Sequence, residues 1–278
     1  MKVDAHQHFW NLSRGDYPWL GPQHGPIYRT FEPEELEPEL RAAGIDKTVL
    51  VQSANSYEDT EYMLELAERY EWIGGVVGWV PLPDRREAEE RLKRWTKLPV
   101  FKGIRHLIHD EKDPDWVVRA DVIEGLRLLA EYGMSFDVVA VFPNHLKHVP
   151  LLAESVPGLR LVIDHLAKPP IADDGWEPWA EQLARAAQYP NVCAKISGLN
   201  TAAKAGWSAA DLKPYVDYAV KTFGADRLMF GSDWPVALLA DEYGRVWRET
   251  NEALKDYSET DVRAMLGETA ARFYRLER

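Results

Sequence analysis

Short apolar segments alternate with longer amphipathic segments along the whole chain. Eight of the short segments are rich in Val, Ile, Phe or Leu and are bounded by Gly, Pro, Asn or Asp, which is typical of buried strands. These predicted strands are Val3–Trp10, Lys47–Ser53, Ile73–Val80, Phe101–His106, Ser135–Phe142, Leu159–His165, Asn191–Ser197 and Arg227–Asp233.

Apolar residues at helical spacing mark the segments between these strands. In Glu34–Ala43 the apolar residues Leu36 and Leu40 share one face, and Gly44 follows as a residue that suits a helix end. The same spacing predicts helices over Asp59–Arg69, Glu87–Trp95, Ala120–Tyr132, Asn144–Glu154, Trp176–Gln188, Ala209–Phe223, Glu242–Lys255 and, last, Glu259–Tyr274.

The alternation of strands and helices predicts an α/β fold with a parallel sheet. Eight strand–helix units fill the 278 residues as a single domain, residues 1–278, which favours a (β/α)₈ TIM barrel with an added C-terminal helix. The competing fold is an open doubly wound sheet, which would carry a glycine-rich turn after its first strand if it bound a nucleotide. That position reads HQHFWNLSRGDYPWL here, so the barrel is preferred. We expect the long segment from Phe9 to Phe31 to form a loop over the catalytic face.

Charge restricts the partners of the chain. Lys plus Arg number 33 and Asp plus Glu number 45, which gives a net charge of −12. A field of that sign repels phosphate backbones and anionic lipid, so neither nucleic acid nor a membrane is an expected partner. The single cysteine, Cys193, excludes an intrachain disulfide, and the N-terminus lacks the pattern of a signal peptide. A cytoplasmic protein is therefore expected; its oligomeric state is left open, with a homodimer as one expectation.

Polar side chains gather where the predicted strands end, and that end of a barrel carries the active site. His6 and His8 end the first strand two positions apart, so both rings face the same way. His165 ends the sixth strand, and Asp233 ends the eighth, which neighbours the first in a closed barrel. Such a set could hold one metal ion or one substrate. The alternatives are hydrogen-bonded structural histidines and, for Asp233, a helix cap.

The fourth strand supplies candidate cations. Arg105 and His106 stand at its end and could polarise a carbonyl group or hold a product carboxylate. Lys102 lies earlier in the same strand, where a substrate contact and a buried barrel residue are both open. Asp164 is expected to point away from His165, with a site role and a structural hydrogen bond as its alternatives.

Candidate substrate contacts come from aromatic and amide side chains on the same predicted face. Aromatic rings stack on the CH surfaces of sugars but are also ordinary core residues. The candidates are Trp19, Trp79 and Trp234 for stacking and Gln52, with Asn55 and Asn200, for hydroxyl groups. Of the other histidines, His24, His145 and His148 are expected on the surface or on helices, and His109 is left undecided.

Seven segments together resemble a known group of enzymes. The resemblance is carried by DAHQHFW, LRAAGIDKTVLVQ, GVVGWVPL, FKGIRH, LVIDHLAKPPI, KISGL and RLMFGSDWPV. They are similar to the amidohydrolase-2 branch of the amidohydrolase superfamily, and more narrowly to its sugar-lactonase subgroup of L-fuconolactonase-like and L-rhamnono-γ-lactonase-like proteins. The resemblance covers nearly the whole chain. It implies that His6 and His8 are the first-strand pair, His165 the sixth-strand histidine and Asp233 the eighth-strand aspartate.

The resemblance implies an enzyme that hydrolyses an aldonolactone to the open sugar acid, with water activated by Asp233. The fifth strand has Asp137 but no histidine, so a binuclear metal centre is not expected. One divalent ion, zinc first, held by His6, His8, His165 and Asp233 is one expectation, and catalysis without metal is the other. Two rival functions stay open: a metal-dependent decarboxylase of a small aromatic acid and a non-catalytic protein that binds a sugar acid.

Overall fold

Eight parallel strands form one sheet in the computed structural model, which describes residues 1–277, and neighbouring strands follow the order of the chain. The strands are β1 Val3–Gln7, β2 Lys47–Val51, β3 Ile73–Gly78, β4 Phe101–His106, β5 Ser135–Val138, β6 Arg160–Ile163, β7 Val192–Ile196 and β8 Leu228–Phe230. The predicted (β/α)₈ TIM barrel is confirmed.

Helices alternate with the strands and cover the sheet. They are α1 Pro33–Ala43, α2 Tyr57–Arg69, α3 Arg85–Trp95, α4 Ala120–Glu131, α5 Val149–Ser155, α6 Trp179–Ala187, α7 Ala209–Phe223, α8 Tyr243–Leu254, α9 Glu259–Arg263 and α10 Thr269–Tyr274. Short 3₁₀ turns lie over Pro22–Ile27, Ile108–Asp110, Trp116–Val118, Leu146–His148, Asp164–Ala167, Ile171–Asp173, Ala225–Arg227 and Val236–Leu239, and a π turn lies over Ala264–Glu268. Within residues 1–277, no helix has the length and hydropathy needed to cross a membrane.

The predicted last helix is broken into α9, the π turn and α10. Gly267 interrupts the helical backbone there with φ 178° and ψ −46°. A Cβ atom at this position would lie 2.1 Å from the carbonyl oxygen of Met1, so only glycine lets the C-terminal segment approach the N-terminus this closely. Helical spacing alone could not reveal this break, because it arises from a contact with the other end of the chain.

The barrel closes between β8 and β1 through residues that follow the strands. The amide of Asp233 donates to the carbonyl of His6 at 2.8 Å, and the amide of His8 donates to the carbonyl of Trp234 at 2.7 Å. The buried Asp4 carboxylate adds to this closure by accepting a hydrogen bond from the Ser232 amide at 2.8 Å. The closure therefore brings Asp233 beside the histidines of the first strand.

The amino-terminal end of the barrel is filled with apolar side chains. Its buried cluster consists of Val3, Ala5, Val49, Val51, Val77, Val162 and Met229, packed with Ala270, Phe273, Tyr274 and Leu276 from the C-terminal segment. Branched side chains are the usual filling of such barrels. Within residues 1–277, α10 covers this end of the barrel, and the site described below lies at the opposite, carboxyl-terminal end.

Candidate active site

Four buried side chains converge at the carboxyl-terminal end of the barrel. Nε2 of His6 lies 3.1 Å from Nε2 of His8. Oδ1 of Asp233 lies 3.3 Å from Nε2 of His8 and 3.7 Å from Nε2 of His6. Nε2 of His165 lies 3.8 Å from the same oxygen. The structure thus brings together the four residues that the strand ends nominate as a metal or substrate site.

The outer nitrogen of each of these rings has its own partner. His8 Nδ1–H donates to the carbonyl of Val51 at 2.7 Å, and His165 Nδ1 forms a hydrogen bond of 2.8 Å with Ser197 Oγ. Such contacts orient an imidazole and leave its other nitrogen to face the site. The inner Nε2 atoms are therefore the ones presented to an ion or a substrate.

Unusual backbone conformations turn His165 and Asp233 toward the centre. β6 ends at Ile163, two residues before the predicted strand end, and residues 165–168 all have positive φ, as does Asp233 with φ 59°. Gly198, at φ 58°, packs against both side chains. A Cβ atom there would lie 2.7 Å from His165 Nδ1 and 3.0 Å from Asp233 Oδ2. The site is thus built on a strained segment, which is common where function fixes the geometry.

Burial sets the charges of the site. It lowers the pKa of His6 well below its ordinary value, lowers the pKa of His8, and lowers that of His165 to about 4. Burial alone would raise the pKa of Asp233. The positive charge that His165 carries once protonated, together with a hydrogen bond from His8, outweighs burial, so the pKa of Asp233 lies below its ordinary value. At neutral pH the site therefore presents neutral imidazoles beside an ionised carboxylate.

This arrangement suits one metal ion. His6, His165 and Asp233 each offer a ligand atom, and these atoms lie within 4.8 Å of one another. Zinc bonds of about 2.0–2.1 Å in a tetrahedron place ligand atoms roughly 3.3 Å apart, near the separations seen here. Neutral imidazoles and an ionised carboxylate are also the protonation states that bind metal.

A second ring of buried charges supports His6. Nδ1 of His6 lies 3.0 Å from Lys195 Nζ and 3.2 Å from Asp164 Oδ1. Arg105 Nη1 donates to Asp164 Oδ2 at 3.2 Å and lies 3.3 Å from His6 Nε2. The sequence argument did not nominate Lys195. In the sequence it is a lone lysine within the predicted strand Asn191–Ser197, and only the structure shows that it is fully buried. Asp164, expected to point away from His165, pairs with Arg105 and Lys195 inside the barrel.

A cavity of about 240 Å³ opens above this centre. Polar and aromatic side chains from β4 and from four loops line it, and apolar side chains form the remaining wall. The first group is Trp19, His24, Ser53, Arg105, His109 and Lys168, and the second is Leu107, Val139, Val141, Val236 and Leu239. Trp19 and His24 belong to the segment from Phe9 to Phe31, so that loop does reach over this face. His24, expected on the surface or on a helix, lies in the 3₁₀ turn Pro22–Ile27 and lines the cavity, and so does His109.

The sequence predicts Gln52 as a substrate contact, but its neighbour Ser53 is the residue that lines the cavity. Both residues follow β2, which ends at Val51. Gln52 Nε2 donates instead to the carbonyl of Arg105 at 3.1 Å. Ser53 Oγ and Arg105 Nε are buried without a hydrogen-bond partner among residues 1–277. Both atoms therefore have hydrogen-bonding capacity left for a bound molecule.

The structure does not bring His106 or Trp79 to the cavity. His106 Nδ1 accepts a hydrogen bond of 3.0 Å from Trp79 Nε1, and its Nε2 lies 2.8 Å from Glu111 Oε1. The ring also stacks on Trp116 at 4.0 Å between centroids. Both nitrogens are thus occupied by protein groups, and the pair supports the loop that follows β4.

Two more residues predicted to contact the substrate, Lys102 and Trp234, lie outside the cavity. Lys102 is corrected to the opposite end of the barrel, where Nζ donates to the carbonyl of Arg275 at 2.9 Å. Its early position in β4 explains this, because only the last residues of a barrel strand reach the active-site end. Trp234 is buried in the core against Phe9 and Phe31. His145 and His148, expected on the surface or on helices, are buried at the 3₁₀ turn Leu146–His148, with His145 directly before it.

Comparison with known proteins gives the same assignment over the full length of the chain. Residues 3–276 match the family described as amidohydrolase. An L-fucono-1,5-lactonase of Burkholderia ambifaria is 38% identical over 281 residues, covering 100% of this chain and 96% of that protein. One from Burkholderia multivorans is 36% identical over 295 residues, covering 99% and 96%.

A solved structure agrees with the sequence matches. The crystal structure of an amidohydrolase from Burkholderia multivorans with bound Zn has a TM-score of 0.93 and 35% identity, with 100% of both chains covered. The family match and the full-length relatives bear out the resemblance carried by the strand-end motifs. This chain belongs to the amidohydrolase family, in the amidohydrolase-2 branch.

Proposed function

We propose that the chain is a sugar lactonase that hydrolyses the ester bond of an aldonolactone to give the open-chain sugar acid. One observation carries the proposal: neutral imidazoles and an ionised carboxylate converge beneath a small cavity. The chain also aligns along its whole length with proteins named L-fucono-1,5-lactonase. L-Fucono-1,5-lactone is accordingly the first substrate to test.

The cavity suits a single neutral sugar ring. Its volume of about 240 Å³ is below the 300–1,000 Å³ or so of sites for larger ligands. The indole of Trp19 offers a stacking face, and Ser53 Oγ and Arg105 Nε offer unused hydrogen-bonding capacity for ring oxygens. Within the described lining, Arg105 and Lys168 are the permanent cations. A dianionic substrate would usually require more arginines.

Hydrolysis begins with Asp233 as general base. Its carboxylate takes a proton from a water molecule, and the resulting hydroxide attacks the lactone carbonyl carbon. Negative charge then develops on the carbonyl oxygen, where Arg105 stabilises it. The bond between carbonyl carbon and ring oxygen breaks, and protonated Asp233 returns its proton to that oxygen. The products are a hydroxyl group and a carboxylic acid on one open chain, and the acid then releases its proton to solvent and becomes a carboxylate.

A single zinc ion is our proposal for the cofactor. His6, His8, His165 and Asp233 would hold it, and a bound ion would polarise the carbonyl group and acidify water. Asp137, the fifth-strand residue, binds Lys195 at 2.6 Å, which supports one ion over two. Metal analysis of protein purified without added metal should give about one equivalent or less. Two equivalents, with activity following the second, would contradict this.

The test is acid release from a panel of pentono- and hexonolactones, followed with a pH indicator, with and without chelator. Unsubstituted γ-butyrolactone and a dicarboxylated pyrone lactone serve as comparators. We expect aldonolactones to give the highest kcat/KM, because removing a hydroxyl leaves site groups unpaired at a cost of roughly 1–3 kcal/mol. A higher kcat/KM for either comparator than for the aldonolactones would refute the assignment of a sugar lactone as substrate. Release of CO₂ from small aromatic acids without lactone turnover would refute lactonase activity.

A further inference from the structure

A chain of buried polar contacts crosses the barrel from its amino-terminal end to the active site. Tyr274 Oη donates to Asp137 Oδ2 at 2.6 Å, and Lys195 Nζ donates to the same oxygen at 2.6 Å. Lys195 Nζ then lies 3.0 Å from His6 Nδ1. Four residues from α10, β5, β7 and β1 are thereby connected. All four are at most 1% exposed.

Specific partners fix the positions of Asp137 Oδ2 and Lys195 Nζ within this chain of contacts. Asp137 Oδ1 has no hydrogen-bond partner among residues 1–277, so within that part of the chain Tyr274 and Lys195 hold this carboxylate through Oδ2. Lys195 is in turn fixed between Asp137 and Asp164, whose Oδ1 lies 3.1 Å from Nζ. Its ammonium therefore has a set position against the ring of His6.

Apolar side chains could fill this part of the barrel without the free-energy cost of burying charged groups. Burying an ion costs free energy that pairing only partly returns, and a hydrophobic set of similar volume is often as stable. The neighbouring interior is in fact built of valines such as Val49 and Val77. The charged chain lies instead directly beneath the histidine whose Nε2 faces the site.

We propose that Tyr274 and Lys195 are positioning residues that fix the ring of His6, so that the C-terminal helix takes part in building the active site. His6 Nδ1 faces no carbonyl group of the kind that Val51 supplies to His8; Asp164 Oδ1 at 3.2 Å and Lys195 Nζ at 3.0 Å stand there instead. Asp164 can accept a hydrogen bond from His6 Nδ1–H, and Lys195 holds Asp164 in place. Asp137 in turn holds Lys195, and the Tyr274 hydroxyl holds Asp137. The kinetic part of this inference rests on the proposed lactonase function, whereas the placement of His6 does not.

The most informative variant is Tyr274→Phe. It removes one oxygen from the far end of the chain and leaves the cavity untouched, whereas Lys195→Met would strand two buried carboxylates and threaten folding. Tyr215→Phe is the matched control. Tyr215 is also a buried residue, and its hydroxyl donates to the carbonyl of Gly175 at 2.9 Å, with no connection to His6. Asp137→Asn serves as a second variant should Tyr274→Phe fold poorly.

The first readout is the ¹⁵N NMR spectrum of the histidine rings in the full chain, with His6 assigned through its loss in His6→Asn. Tyr274→Phe is expected to move the ring resonances of His6 and to leave those of His148, outside the site, in place. Tyr215→Phe should move neither. His6 resonances that stay unchanged in both Tyr274→Phe and Asp137→Asn would overturn the proposal, whatever the substrate of the enzyme.

The second readout is the separation of kcat from KM on an aldonolactone. Losing an outer partner of a site histidine typically costs about tenfold in activity or metal affinity, so Tyr274→Phe should lower kcat by about that factor. KM should stay unchanged, because no cavity residue is altered, and Tyr215→Phe should match the wild type. Equal kcat values for the two variants would overturn the coupling while leaving the lactonase assignment intact.

Discussion

Histidines at the strand ends of this barrel occupy two different environments. His6, His8 and His165 each direct Nε2 to a common point beside Asp233. His106 also ends a strand, yet its two nitrogens face Trp79 and Glu111, and its ring is stacked on Trp116. All are buried, so burial does not distinguish the two environments.

The two environments differ in whether a ring nitrogen of the histidine is left without a hydrogen-bond partner from the protein. A histidine whose nitrogens are both engaged by the protein has nothing left for a ligand, whereas a ring anchored only through Nδ1 keeps one nitrogen for chemistry. His8 shows the second case, with Nδ1–H on the carbonyl of Val51 and Nε2 facing the site. The contrast therefore assigns His165 to the reaction and His106 to support of the loop after β4.

Asp233→Asn should produce the largest loss. The amide cannot take a proton from water, and removing a general base typically costs about 100- to 10,000-fold in turnover. Initial rates on the best aldonolactone measure the effect. Asp241→Asn is a control, because Asp241 pairs with Arg245 at 2.5 Å on a neighbouring loop outside the cavity. Turnover close to the wild type in Asp233→Asn would remove this residue from the mechanism.

Gly198→Ala should disturb the convergent site through a single methyl group. That methyl group would press on His165 Nδ1 and Asp233 Oδ2, so we expect turnover to fall by about tenfold or more, the scale of a misplaced reacting group. Gly206→Ala is the matched control. Gly206 also has positive φ, at 79°, but an added Cβ atom meets nothing within 4 Å.

Both glycine variants carry the backbone cost of the left-handed conformation, about 1–2 kcal/mol. Thermal unfolding should therefore show similar losses of stability from the backbone alone, with an additional loss in Gly198→Ala. Activity should fall in Gly198→Ala only. Equal activity in the two variants would mean that the close packing of Gly198 does not govern the site.

His106→Asn should weaken the fold more than the chemistry. Its removal leaves the half-buried Trp79 Nε1–H and the Glu111 carboxylate without this partner, at a cost of roughly 0.5–1.5 kcal/mol in unfolding free energy for each lost hydrogen bond. Urea denaturation measures that loss. Trp79→Phe removes the same hydrogen bond from the other side and should behave alike. Unchanged stability in both variants would contradict the supporting role.

The pH dependence of stability offers a smaller effect. Burial lowers the pKa of His165 from 6.5 to about 4. Between these values the unfolded chain binds the extra proton, so the free energy of unfolding that depends on this group rises with pH and is complete above about 6.5. The difference between wild type and His165→Asn, measured in urea with chelator present, should follow that rise. A difference independent of pH would contradict the neutral, buried imidazole.

Sequence reasoning reached the fold and the centre of the site because both follow from local patterns. Alternating segments predict the barrel, and residues that end parallel strands must meet at one end of it. It failed for Lys102 and His106, whose places depend on depth in the barrel and on partners far away in the chain. Lys195 was missed because a lysine in a strand gives no sign of the charges around it.

The break in the predicted C-terminal helix also depends on a contact between distant parts of the chain. Apolar spacing over Glu259–Tyr274 is continuous, and only the contact of Gly267 with Met1 reveals why the backbone departs from a helix. The same segment delivers Tyr274 to Asp137, a meeting of residues 137 positions apart. Contacts between such distant positions are where a pattern of local spacing carries no information.

The ratio of kcat/KM between His165→Asn and His106→Asn on one aldonolactone tests the central claim most directly. Each variant makes the same substitution in a buried strand-end histidine, so differences in size or burial cannot account for the result. We expect His165→Asn to lose about tenfold or more relative to His106→Asn, equivalent to at least about 1.4 kcal/mol of transition-state stabilisation. Equal losses, or a greater loss in His106→Asn, would contradict the assignment of the convergent cluster as the catalytic site.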